Sequence, residues 1–297
     1  MRCARLPMIA ATMLVSGCLG SGGGGGASSG AAVAPSAAAI ASSPSSLLTL
    51  SPNSSFQVEG ESRGVDVESN GLSVTSSDLT PRRDLSVLIE TDANANFAGA
   101  SFTAAGRATD SFLANETTLI VSDADGLIAE TADGFITLNS TYEYQTFGFW
   151  GVAQGPSGRF NFGSAGFQTN AANLPLTSAN YTGDSIGAYA VSGGGLFATS
   201  SAIEVDANFQ TGAASITSTN TVMFDGNQNM IAAPMLDFSG SGSVTGASLA
   251  ATVETSASAL SGDATGLFYG PAAEEVGGSF ALTGGSGDYV GAFGAEQ

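Results

Sequence analysis

The sequence GLFYGPAAEEVGGSF at 266–280, followed by GAFG at 291–294, is the most informative stretch of the chain for its fold. It contains two short apolar and aromatic segments, at 267–269 and 279–282, separated by a Gly-Pro pair and a Gly-Gly pair. Aromatic segments bounded by glycine and proline are typical of strands joined by turns. The stretch therefore predicts two antiparallel strands that close a sheet at the C-terminus.

A regular alternation occupies residues 202–209, AIEVDANF. Apolar side chains take every second position (Ile203, Val205, Ala207 and Phe209), and polar side chains lie between them (Glu204, Asp206 and Asn208). Period two is the signature of a strand with one buried and one wet face. An apolar inward face favours a sheet whose interior is filled by side chains.

Further short strands are predicted at 85–89, 118–121, 126–129, 134–138, 214–217 and 221–224. Asp-Gly pairs at 125–126 and 133–134 separate three of these segments, and Asp-Gly is a strong hairpin signal. Many short strands at spacings of about ten residues indicate an up-and-down barrel or a sandwich. The periodicity does not choose between those two.

The segments YEYQTFGFW at 142–150 and ANYTGDSIGAY at 179–189, with the closing motif F-Y-G-P-x-A-x-E-V-G-G-x-F, resemble a barrel domain of the transferrin-binding protein B family of surface lipoproteins. The resemblance covers 142–297. It implies an all-β fold, with an eight-stranded antiparallel up-and-down β-barrel preceded by a smaller strand-rich handle domain. Residues 48–141 are assigned to the handle by position and strand content. Members with two lobes are about twice as long, so one lobe is expected here.

The N-terminus predicts a lipoprotein. Arg2 and Arg5 precede an apolar run at 6–15, and VSGC at 15–18 fits a lipobox. The run is much shorter than the ~20 residues of a membrane-spanning helix, so 1–17 is expected to be a cleaved signal peptide. Cys18 is the predicted lipid attachment residue. Residues 18–47 are predicted to be the lipidated cysteine and a flexible Gly/Ser/Ala tether, whose 29 residues after Cys18 reach about 30 Å.

Charge and composition exclude several functions. The chain has 26 acidic and 7 basic residues, no His and a net charge of −19. Such acidity argues against nucleic-acid binding. Without His, and with Cys18 lipidated, the usual nucleophile–base pairs and imidazole or thiolate metal ligands are missing. We therefore expect no enzyme activity, no metal and no cofactor.

Three sequence features are weighed against structural explanations. Adjacent Glu274 and Glu275 are candidate paired carboxylates, but neighbours in a strand point to opposite faces. The sequence DADG at 123–126 resembles the start of a calcium loop, but glycine arrives at the fourth position, so a hairpin turn is favoured. The aromatic cluster at 142–150 (Tyr142, Tyr144, Phe147, Phe149 and Trp150) is interpreted as barrel filling rather than as a ligand-facing wall.

The resemblance implies a protein anchored in the outer membrane and facing the cell exterior. It would capture a ligand, protein or solute, for an outer-membrane receptor, and a surface-lipoprotein translocator would export it. Two alternatives remain open: a structural or shielding surface lipoprotein without a transported ligand, and a lipocalin-like carrier of a small molecule or haem. A haem carrier would need Tyr or Met as the axial ligand. The sequence identifies no ligand-binding residue.

Overall fold

The computed structural model describes residues 46–297, except residues 48, 70–73, 96, 107–109, 114–118, 124–125, 132–133, 139–141, 155–156, 226–228 and 258. The described chain forms eighteen strands in two nine-stranded sheets, together with short 3-10 helices at Ala171–Asn173 and Pro234–Leu236. The predicted signal peptide, Cys18 and nearly all of the predicted tether lie outside the described residues.

The first sheet is the handle. Its strands are β1 (Ser55–Ser69), β2 (Val74–Thr91), β3 (Phe97–Ala104), β4 (Asp110–Leu113), β5 (Leu119–Asp123), β6 (Gly126–Thr131), β7 (Gly134–Leu138), β8 (Gln145–Gln154) and β9 (Ser157–Gly166). They are ordered β4-β3-β2-β1-β9-β8-β7-β6-β5. Asp123 pairs with Gly126 and Thr131 pairs with Gly134, as expected of hairpins with two-residue loops. The strands predicted between 85 and 138 are confirmed.

The second sheet closes into a barrel. Its strands are β10 (Ser178–Val191), β11 (Leu196–Asn208), β12 (Ala213–Phe224), β13 (Met230–Ala232), β14 (Phe238–Thr245), β15 (Ser248–Thr255), β16 (Ser261–Tyr269), β17 (Glu275–Gly284) and β18 (Gly287–Glu296). The order β11-β10-β18-β17-β16-β15-β14-β12 is closed by pairing of β11 with β12, which gives eight antiparallel strands. Strand β13 pairs with the end of β12 beside this ring. The predicted fold class is confirmed.

The two sheets separate later in the chain than residues 141/142. Both β8 and β9 pair within the handle sheet, and the first barrel strand begins at Ser178. The aromatic strand at 145–154 is therefore part of the handle, although the sequence placed it in the barrel. A strand sequence records burial but not the identity of the neighbouring strand, which is why this assignment needed the structure.

The closing strands β17 and β18 are buried on both faces. Phe280, Tyr289 and Phe293 lie in the barrel core, whereas Ala281 and Val290 lie in a second cluster shared with the handle. Glycine makes room for the interior rings, since a Cβ at Gly291 would come within 2.3 Å of the Phe280 ring. This double burial explains why 276–295 is rich in small and aromatic residues rather than alternating with polar ones.

The alternation predicted for β11 is confirmed over most of its length. Ile203, Val205 and Ala207 are buried, and the two acidic residues between them are exposed. Phe209 departs from the expectation, because the strand ends at Asn208 and the ring is half-buried. It packs on Phe268 at a centroid distance of 5.0 Å.

Candidate functional site

Aromatic side chains fill the barrel interior. Phe280 contacts Phe238 and Tyr289 at centroid distances of 5.0 and 4.9 Å. The fully buried interior rings are Tyr181, Phe238, Phe268, Phe280, Tyr289 and Phe293. Side chains that interdigitate in this way use the space in which a carrier protein would hold a solute.

One wall of the interior is polar, which the alternation at 202–209 did not predict. Ser201 is hydrogen-bonded to Ser185 at 2.6 Å and to Ser218 at 2.8 Å, and all three are buried. Burial raises the pKa of Tyr289 to about 12, and neighbouring hydroxyls including Thr199 oppose that rise. Ionisation of a tyrosine in this interior is therefore disfavoured, and with it a phenolate ligand to haem iron.

A buried polar network joins the handle to the barrel. Glu61 is 1% exposed; its Oε2 accepts a hydrogen bond from Arg82 Nε at 2.6 Å, and its Oε1 accepts one from the backbone N–H of Ser279 at 3.2 Å. Arg63, also buried, forms an ion pair with Asp263 on the barrel. Each buried charge has a partner of opposite sign, as a desolvated charge requires. These contacts fix the two sheets against each other.

The two candidate carboxylates at 274–275 have separate structural roles. Glu275 begins β17, is buried, and accepts the backbone N–H groups of Glu143 at 2.7 Å and Tyr144 at 3.1 Å. Glu274 accepts the backbone N–H of Ala272 in the preceding turn. Burial raises the pKa of Glu275 to about 7, against the opposing effect of these N–H donors. The pair fastens a linker and a turn and does not form an acid–base couple.

The aromatic cluster at 142–150 packs outside the barrel, so its interpretation as barrel filling is wrong. Tyr142, Phe147 and Phe149 lie in the cluster between the two sheets, and the hydroxyl of Tyr142 donates to the Gly294 carbonyl at 2.7 Å. Trp150 is buried in the handle core, 4.9 Å from the Phe102 ring. These rings are occupied by packing and do not form an open ligand-facing wall.

An open cleft of about 660 Å³ lies where the handle meets the barrel. Its floor is apolar (Val58, Phe167 and Leu267), and its rim carries Glu59, Arg82 and Asp84. Arg82 forms ion pairs with Glu61 and Asp84, so its charge is already compensated. The cleft therefore lacks a cation committed to an anionic ligand.

The barrel end that carries β13 exposes apolar side chains. Met230 is 68% exposed and Ile231 43% exposed, and β13 pairs Phe224 with Met230 and Met223 with Ile231. Cross-strand partners share a face, so these side chains lie next to each other in pairs. We call the group Val222, Met223, Phe224, Met230 and Ile231 the β13 rim. Sequence analysis missed it, although the apolar run at 230–236 was an available signal.

Charge is distributed unevenly between the two sheets. After Cys18 the basic residues are Arg63, Arg82, Arg83, Arg107 and Arg159, all in the handle part of the chain. Residues 178–297 contain no Lys, Arg or His and eleven carboxylates: Asp184, Glu204, Asp206, Asp225, Asp237, Glu254, Asp263, Glu274, Glu275, Asp288 and Glu296. The barrel therefore presents a uniformly negative surface.

Neither a metal cluster nor a spanning helix is found among the described residues. No group of three or more His, Cys, Asp or Glu side chains there has the arrangement of a metal site. No helix in the described part of the chain is long and apolar enough to cross a membrane.

The fold and its surfaces define a β-barrel binding domain attached to a handle. Residues 162–297 match the family described as the C-lobe and N-lobe β-barrels of transferrin-binding protein B. The resemblance found in the sequence is thereby confirmed: the chain carries a barrel of the transferrin-binding protein B type. No functionally curated protein matches the chain.

Solved structures with similarity to this chain include two transferrin-binding proteins B and a related lobe. A variant from Haemophilus parasuis has 13% identity and a TM-score of 0.45, over 84% of this chain and 77% of that one. The Neisseria meningitidis protein has 17% identity and a TM-score of 0.42, over 72% and 52%. The N-lobe of lactoferrin-binding protein B from Moraxella bovis has 13% identity and a TM-score of 0.43, over 80% and 99%.

Proposed function

We propose that this chain is a lipoprotein of the outer membrane that binds a protein ligand on the outside of its handle and barrel, at the cell surface. The filled barrel interior carries the proposal. Because aromatic rings occupy the centre of the barrel, binding falls to the outer surface, where a whole protein has access. The protein is a binding module rather than an enzyme.

The anchor in this proposal is a lipid on Cys18. The lipobox supplies the acylation signal, and the tether after it reaches about 30 Å. The backbone N–H of Leu47, near the start of the described chain, donates to the Glu143 carbonyl at 2.7 Å. A contact at that point would let the tether hold the folded body clear of the lipid surface.

The family supplies the first ligands to test. The similar structures are named as proteins that bind transferrin or lactoferrin, so iron-carrying host proteins are the leading candidates. By the same resemblance, the captured protein would be presented to an outer-membrane receptor, and a dedicated translocator would bring the lipoprotein to the surface. The filled interior disfavours the lipocalin-like alternative.

The test uses the full-length lipoprotein, purified in detergent and immobilised through its lipid anchor. Transferrin, lactoferrin, haem and native outer-membrane extract are passed over it in turn. We expect saturable binding of a protein and none of haem. Haem binding that is lost in Tyr289→Phe would overturn surface capture in favour of an interior carrier. Absence of binding to every sample would favour the structural or shielding lipoprotein.

A further inference from the structure

The β13 rim is an apolar surface that the fold leaves uncovered. Met230 and Ile231 are exposed, and Val222, Met223 and Phe224 beside them are only partly buried. Isolated exposed apolar residues are ordinary on protein surfaces, but adjoining ones on paired strands form a continuous patch. Such patches are typical of protein–protein contacts.

The rim lies at the barrel end away from the predicted anchor. Strand β13 belongs to the β12–β14 connection, at the end where β10–β11, β15–β16 and β17–β18 also turn. Leu47 is hydrogen-bonded to Glu143, which in turn donates to Glu275 after the β16–β17 turn at the other end. A chain attached at that end presents the rim outward.

Carboxylates accompany the rim. Asp225, Asp237, Glu254 and Asp288 all lie at or next to the strand ends on this side of the barrel, and residues 178–297 contain no basic side chain. A partner face with Lys and Arg around an apolar centre would complement this pattern. A second copy would place the same carboxylates opposite one another, so charge disfavours self-association at this face.

We propose that the β13 rim is the docking surface for a folded protein whose contact face carries apolar side chains surrounded by Lys and Arg. The proposal rests on the proposed function, protein capture at the surface, and adds the site of contact and the chemistry of the partner. Apolar burial supplies the central contact, and charge attraction raises the rate of encounter.

Cross-linking in the native host tests the position. The photoreactive residue p-benzoylphenylalanine replaces Met230 in one full-length variant and Leu176 in another. Leu176 is a matched control because it is 86% exposed and precedes β10 at the opposite barrel end. We expect a protein adduct at position 230 that is about tenfold stronger than at 176 and weakens as salt screens charge. Its cross-linked partner peptide should lie on a basic face.

Binding of the cross-linked partner is then measured for Met230→Asp and Leu176→Asp in the full-length lipoprotein. We expect about tenfold weaker binding for Met230→Asp and a change within about twofold for Leu176→Asp, with equal melting temperatures. Equal effects at both positions, an acidic partner face, or an adduct with a second copy would overturn the proposal. If the unchanged protein binds a partner that the rim variant binds equally well, only the docking site is wrong. If it binds no protein at all, the proposed function fails as well.

Discussion

Replacement of Phe280 by alanine should destabilise the protein more than any change of similar size on its surface. Phe280 is fully buried and contacts the rings of Phe238 and Tyr289. Truncation of a buried Phe costs about 3–5 kcal/mol in unfolding free energy, and aromatic pairs add about 0.5–1.5 kcal/mol each. With two such pairs lost, we expect about 4–5 kcal/mol, or a fall in melting temperature of about 10 °C or more.

The assay is thermal and urea unfolding of the full-length protein, followed by far-UV circular dichroism. Leu176→Ala is the control, because Leu176 is 86% exposed and its loss should change the unfolding free energy by less than about 0.5 kcal/mol. If Phe280→Ala and Leu176→Ala unfold at the same midpoint, the barrel interior is not packed. The argument against an interior ligand would then have no basis.

Three further predictions concern charge and the anchor. Burial raises the pKa of Glu275 from 4.5 to about 7, so the folded chain keeps a proton there that the unfolded chain releases; stability should therefore fall by roughly 3 kcal/mol as pH rises from about 4.5 to about 7, and a flat difference between unchanged protein and Glu275→Gln in urea midpoints at pH 5 and 8 would contradict this. Glu61→Ala should cost about 3–5 kcal/mol in urea unfolding because it leaves Arg82 without its 2.6 Å partner, whereas Asp84→Ala, at 3.6 Å from Arg82 and exposed, should cost less than about 1 kcal/mol. Cys18→Ala should leave the precursor unprocessed or release it from membranes, and mass spectrometry that found a mature N-terminus other than Cys18 would refute the anchor.

Local pattern was sufficient to predict much of the barrel. The alternation from Ile203 to Ala207 placed three side chains inward because one face of β11 is wet and the other is packed. Glycine and Asp-Gly signals marked the turns of the meander, since they supply the backbone conformations that tight hairpins need. Closure into eight strands came from the family resemblance and not from periodicity.

Partner choice between strands was beyond the local pattern. The segment at 145–154 has the composition of a buried strand, and only the three-dimensional arrangement places it next to β9 in the handle. Asn208 was expected to be an ordinary exposed residue, but its Oδ1 accepts the N–H groups of Gln210 and Thr211 in the following turn. Such side-chain caps depend on the path of the turn, which a two-residue period does not contain.

The β13 rim was missed for a related reason. An apolar run such as 230–236 is ordinarily evidence of burial, and Leu236 within it is indeed buried. Met230 and Ile231 are exposed because β13 pairs along the end of β12, ahead of the point where β14 takes over that edge at Phe238. Exposure of this kind follows from strand register, so it appears only once the barrel is assembled.

Native mass spectrometry of the full-length lipoprotein purified from its host tests surface capture by a filled barrel most directly. The protein should appear as the lipidated polypeptide alone and as a complex whose added mass is that of an entire protein. A retained small-molecule adduct, lost when Tyr289 is changed to Phe, would contradict the account, because it would place the ligand inside the barrel.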